Sequence, residues 1–162
     1  MRAKLPGTWW RRARYVLVLV ALCSIATCPA AKRACVAKHQ AEEADQLLAV
    51  IGDRVAEAVA ETGRVPLVPA PPTPVPSCCD QGGACTADDR TWNAPGWRAL
   101  RFTIDGTYRF TYEYAPDPSG TFAIARAVGD LNCDGTQSLY ELRLVVHDKT
   151  VERVWTRKDP YE

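Results

Sequence analysis

A chain of 162 residues leaves room for one small folded domain behind its N-terminal segment. Its 20 Lys and Arg nearly balance 19 Asp and Glu, but Arg2, Lys4, Arg11, Arg12 and Arg14 crowd the head, and from His39 onward 12 basic residues face all 19 acidic ones, a balance of −7. An acidic body argues against a nucleic-acid partner, whose phosphates need a basic face, and suits a protein that meets divalent cations outside the cytoplasm.

Residues 1–14 read as a basic cytoplasmic leader. Tyr15 to Ala31 follows without a charge, and 17 helical residues cover about 25 Å, the short end of what a bilayer requires. The cations before this run hold the N-terminus inside and send the rest outward, so 15–31 is expected to be a transmembrane stem. The alternative is a cleaved signal peptide, with Cys28 and Ala30 as the small residues before the cut. Both readings export the body.

Residues 32–63 predict an amphipathic helix continuing the stem, with Pro29 as the place for a kink. Ala44, Leu47, Leu48, Ile51, Val55, Ala58 and Val59 recur at three- and four-residue steps on one face, and Gly63 supplies the stop. The plain reading of that stripe is a core face.

Residues 64–90 form a loop that is first proline-rich and then cysteine-bearing. Six of the chain's 12 prolines lie between Arg64 and Ser77, which excludes a helix or a central strand and leaves an extended connector. Cys78, Cys79, Cys85 and Cys133 are disulfide candidates in an exported body; adjacent Cys78 and Cys79 favour different partners, and three pairings stay open. A bridge from the 78–85 cluster to Cys133 closes a loop of about 50 residues, worth roughly 4 kcal/mol. A four-thiolate zinc site is the rival, without the paired CxxC knuckles such sites use.

Residues 91–162 predict an antiparallel sheet. Tyr108, Phe110, Tyr112 and Tyr114 alternate with polar residues; Phe122, Ile124 and Val128 mark a second strand, Leu139 to His147 a third, and Thr150 to Trp155 a fourth. Trp92, Trp97, Leu100 and Phe102 lead into the first. Between the second and third strands, Asp130, Asn132, Asp134, Gly135 and Glu141 fall at the first, third, fifth, sixth and twelfth positions of a calcium-loop pattern, with Thr136 placed to offer its backbone carbonyl. Calcium is the one cofactor this pattern suggests. The competing reading is an Asp-Gly turn whose Asn and Asp serve turn geometry.

The segments WRALRF (Trp97 to Phe102), YRFTYEY, TFAIARA and GDLNCDG with Ser138 together resemble type IV pilin-like proteins, closest to forms whose C-terminal sheet carries a GDLDxDG turn. The resemblance covers residues 91–145 best, and the order of parts fits the whole chain. It departs at the head, where Gly7 is followed by Thr8, Trp9, Trp10, Arg11 and Arg12, and arginine stands where the family's processed stem carries glutamate. The resemblance implies an inner-membrane, single-pass protein with a periplasmic or cell-surface ectodomain. Its partners would be other pilin-like subunits packed through the apolar stem.

The expected fold is therefore α+β: a long N-terminal helix, membrane stem plus amphipathic half, packed on a small antiparallel sheet of about four strands. The expected role is structural, in a type IV pilus or type II secretion pseudopilus. The alternative is a secreted or membrane-tethered, calcium-stabilised binding module. His39 and His147 have no serine elbow, HExxH or phosphate loop nearby, so no enzyme is expected.

Overall fold

The computed structural model describes the backbone of residues 28–161 and the side chains from Val36 onward. The leader and Tyr15 to Thr27 of the expected stem lie outside the described residues. Helix α1 runs from Cys28 to Thr62. Ala41, Ala44, Leu48, Ile51, Val55 and Val59 form its buried stripe, with Leu47 packed at the margin. Full burial of each Leu, Ile or Val side chain contributes about 1.5–3 kcal/mol, so packing rather than helix propensity holds this part of α1 in place. Gly63, at φ 76°, ends the helix and donates its N–H to the Val59 carbonyl at 2.8 Å.

Downstream lie β1 (Ala70–Thr73), β2 (Cys85–Thr86), the short helix α2 (Pro95–Ala99), β3 (Thr107–Tyr108), β4 (Thr111–Pro116), β5 (Phe122–Gly129), β6 (Ser138–His147) and β7 (Thr150–Lys158). Five strands pair antiparallel in the order β1-β4-β5-β6-β7, and β2 and β3 form a second, two-stranded sheet.

This corrects the expected fold of a long stem-bearing helix on about four strands. The added strand is β1, inside the proline-rich segment, which that composition had suggested to be a plain connector. An edge strand bonds on one side only, so proline's missing N–H is tolerated there. The aromatic run from Thr107 to Tyr114 is also split between β3 and β4. Among the described residues no helix is long and apolar enough to cross a membrane.

The core face of β5 is made of Ala123, Ala125 and Ala127, whereas Phe122, Ile124 and Val128 point to the other, half-exposed face. The register explains the choice. Ala125 stands between Tyr114 and Leu142, and Ala127 between Tyr112 and Tyr140, so large side chains on β4 and β6 close over a floor of methyl groups. Phe110 and Tyr140 meet edge-on across β5, ring centres 5.6 Å apart, above Gly129. A Cβ on Gly129 would lie 2.6 Å from Phe110 Cδ1.

A second aromatic group ties the proline-rich segment to the sheet. Trp92 packs against Trp97 and Tyr108 with ring centres at 5.3 and 5.5 Å. Trp97 Nε1 donates to Thr73 Oγ1 at 2.9 Å, and the Tyr114 hydroxyl donates to the Pro66 carbonyl at 2.9 Å. Gly96 lies so close to the Pro69 carbonyl that a Cβ would sit 2.2 Å from its oxygen. Only glycine permits that approach of α2 to β1.

Candidate metal-binding loop

Residues 130–137 join β5 to β6 and turn tightly, with Cys133 and Gly135 in the left-handed region at φ 58° and 96°. Asp130 organises the turn. Its Oδ1 accepts the Asp134 N–H at 3.2 Å and its Oδ2 accepts the Gly135 N–H at 2.8 Å. Asn132 Oδ1 also accepts the Asp134 N–H at 2.9 Å, and its Nδ2 donates to Asp134 Oδ2 at 3.0 Å. Asp134 Oδ1 accepts the Thr136 N–H at 2.8 Å. That backbone bond, helped by Thr136 and Asn132 side chains, holds the Asp134 carboxyl below its ordinary range.

Asp130, Asn132 and Asp134 thus bring side-chain oxygens into one turn, and Thr136 adjoins them. Glu141 does not join. It lies in β6 opposite Arg126, roughly 10 Å along the strand from Ser138, and accepts Arg126 Nε at 2.9 Å. Glu113 stands 3.5 Å from Nη1 of the same guanidinium, so Arg126 is shared by two carboxylates on the open sheet face. The Glu141 bond, with both charges, raises the Arg126 pKa. The helix-pair loop pattern fails here for a topological reason. A strand starting at Ser138 alternates its side chains and carries the twelfth position away from the turn.

The loop is tethered covalently. Cys79 bonds Cys133, and Cys78 bonds Cys85. The adjacent cysteines take different partners, and with all four sulfurs spent these cysteines form no four-thiolate zinc site. Cys79, Cys133 and an Asp130 oxygen lie within 4.8 Å of one another, but disulfide sulfurs offer no thiolate to a cation.

Glu43 is the residue that the sequence left unmarked. It lies on α1 four residues before Leu47, at the border of the apolar stripe, and its carboxylate is turned into the fold. Oε1 accepts the Arg109 N–H at 2.9 Å and the Tyr112 hydroxyl at 3.2 Å. Burial raises the Glu43 pKa despite these bonds, and pushes the Tyr112 hydroxyl well up. The only signal in the sequence was an acid flanking the apolar stripe. His39 and His147 pair with Glu42 and Glu152 at 3.3 and 2.9 Å on exposed surface. Comparison with protein families, curated proteins and solved structures finds no match to this chain.

Proposed function

We propose that the chain is a structural, pilin-like protein. The apolar run Tyr15 to Ala31 anchors it in the inner membrane, and its globular part lies in the periplasm or at the cell surface. There it serves as a subunit or accessory of a type IV pilus or type II secretion pseudopilus, meeting other pilin-like subunits through the apolar run. The observation that carries this reading is the pair of disulfides. Two bridges, one closing the 78–85 turn and one tying Cys79 to Cys133 in the 130–137 loop, suit an oxidising compartment, and the basic-then-apolar head is the means of reaching it.

The test is the native N-terminus, read by mass spectrometry of the membrane fraction. A start at Met1 or Thr8 retains the apolar run and supports the anchored subunit; Thr8 further implies prepilin-type processing despite Arg12. A start at Ala31 or Lys32 removes the run and overturns the filament reading.

One observation favours a second reading, a secreted or tethered module stabilised by calcium: the gathering of Asp130, Asn132 and Asp134 oxygens in one turn. In that case these three residues and the Thr136 carbonyl hold the ion, with solvent in place of Glu141. An extracellular affinity, roughly 10⁻⁴ to 10⁻³ M, suits so open a set.

A further inference from the structure

The two edges of the main sheet differ. β1 is four residues long, carries Pro71 and Pro72 and pairs irregularly with β4. β7 is nine residues long, holds neither Pro nor Gly, and pairs with β6 in unbroken register from Thr150 to Lys158. Among the described residues nothing pairs with its other side. The two-residue turn at Asp148 and Lys149 makes His147 and Thr150 the closing hydrogen-bonded pair. Strict alternation then turns the backbone N–H and C=O of Val151, Arg153, Trp155 and Arg157 outward.

Edges of this kind are usually guarded by charges near mid-strand. Here the mid-strand cations are diverted. Arg153 donates to Asp53 at 2.7 Å and Arg157 to Asp45 at 2.9 Å, both on α1, and the centre of the strand is left to Val154 and Trp155. Val154 is 45% exposed on the opposite face, the one β-strand residue among the large exposed hydrophobics of the described chain.

We propose that β7 is a self-association edge, and that its occupant is β7 of a second copy, added antiparallel about a two-fold axis through Val154. The sequence is self-complementary in that register. All nine strand residues find an opposite number, and the outward backbone groups of Arg153 and Val151 face those of Trp155 and Arg157 of the second copy. Val154 meets Val154, and Arg153 lies beside an indole, a favourable cation–π partner. Glu152 lies opposite Thr156 and diagonal to Lys158 of the second copy, and Arg153, diagonal to Arg153 and Arg157 of the second copy, is offset by the Asp53 and Asp45 carboxylates that hold these guanidiniums.

The contact is isologous and closes on itself as a dimer rather than growing as a fibre. Because α1 runs antiparallel to β7, Asp45 reaching Arg157 and Asp53 reaching Arg153, the two α1 helices of the pair run in opposite directions. The contact lies at the sheet edge and is separate from side-by-side packing of apolar runs.

The test is sedimentation equilibrium of the full chain in detergent micelles at about 100 µM, above the micromolar range of weak interfaces. Val154→Lys and Val154→Asp each place like charges on the two-fold and should weaken dimerisation about tenfold or more. An equimolar mixture of the two variants should restore it, because Lys then faces Asp. A monomeric wild type, a Val154→Lys dimer as tight as wild type, or a mixture no tighter than its components would each overturn the proposal. Restoration in the mixture also shows that both variants are folded.

Discussion

The Glu43 carboxylate lies 2.9 Å from the Arg109 backbone nitrogen, and that bond helps join α1 to the gap between β3 and β4. Arg109 and Phe110 belong to neither strand, so their N–H groups lack a sheet partner and a helix carboxylate serves them instead. Glu43→Ala should cost about 1–3 kcal/mol, since it leaves the Arg109 N–H and the Tyr112 hydroxyl buried without an acceptor. The proton makes a second test. Burial raises the folded-state pKa above its ordinary 4.5, so the carboxyl binds its proton more tightly when folded. Its contribution is full below that value and declines as pH rises through the folded pKa. Denaturation of Glu43→Gln from about pH 4 to 7 should show the variant gaining on wild type as pH rises. A pH-independent difference would place the Glu43 proton outside the folding equilibrium.

The two disulfides should differ in weight. Cys79–Cys133 closes 54 residues and Cys78–Cys85 only seven. In the chain-entropy model these are worth about 4 and about 2 kcal/mol. Replacing the Cys79–Cys133 pair by serine should therefore lower the denaturation midpoint more than replacing the Cys78–Cys85 pair. Non-reducing peptide mapping tests the pairing itself, and a Cys78–Cys133 peptide would refute it.

Gly129 is a packing residue. With Phe110 ring carbons 2.6 and 2.8 Å from where a Cβ would lie, Gly129→Ala should cost about 1–3 kcal/mol through overpacking. Phe110→Leu removes the obstructing ring, so the double variant should lose less than the two singles combined. Strict additivity would mean that the two sites are not coupled.

Calcium binding at 130–137 predicts a thermal shift. At about 10 mM calcium and a dissociation constant near 1 mM the gain is about 1.4 kcal/mol, or roughly 3–6 °C. An unchanged melting temperature between calcium and chelator would leave the loop as a turn alone. Glu141→Gln should preserve any shift, because Glu141 serves Arg126; loss of the shift in that variant would return Glu141 to the ligand set.

Leu19→Arg tests the role of the apolar run. Under the proposed filament role, a charge within the run should abolish incorporation into filaments, which quantitative immunoblotting of sheared filaments measures. Undiminished incorporation would remove the run from assembly.

What could be read from the sequence followed from periodicity. The α1 stripe from Ala44 to Val59 and the buried alternation Tyr108, Phe110, Tyr112 and Tyr114 need only the residue types and their spacing. The core face of β5 was harder, because hydrophobicity favours Phe122, Ile124 and Val128, while the buried position between Tyr112 and Tyr140 is held by the small Ala127. β1 was hidden because proline composition speaks against strands unless the strand lies at an edge. In the loop, Asp130, Asn132 and Asp134 sit together because they are local in sequence. Glu141 departs because the start of β6, set by pairing with β5, decides which way it points.

The packing of Trp92 against Trp97 has an optical consequence. Two indoles with ring centres 5.3 Å apart and planes 63° apart couple their excited states, and both are shut away from water. Trp97 is also the ring that holds Thr73. The near-ultraviolet circular dichroism of this pair is therefore an intrinsic, label-free readout of whether the proline-rich segment is seated on the sheet, and it can be followed in the same sample as any of the unfolding experiments above.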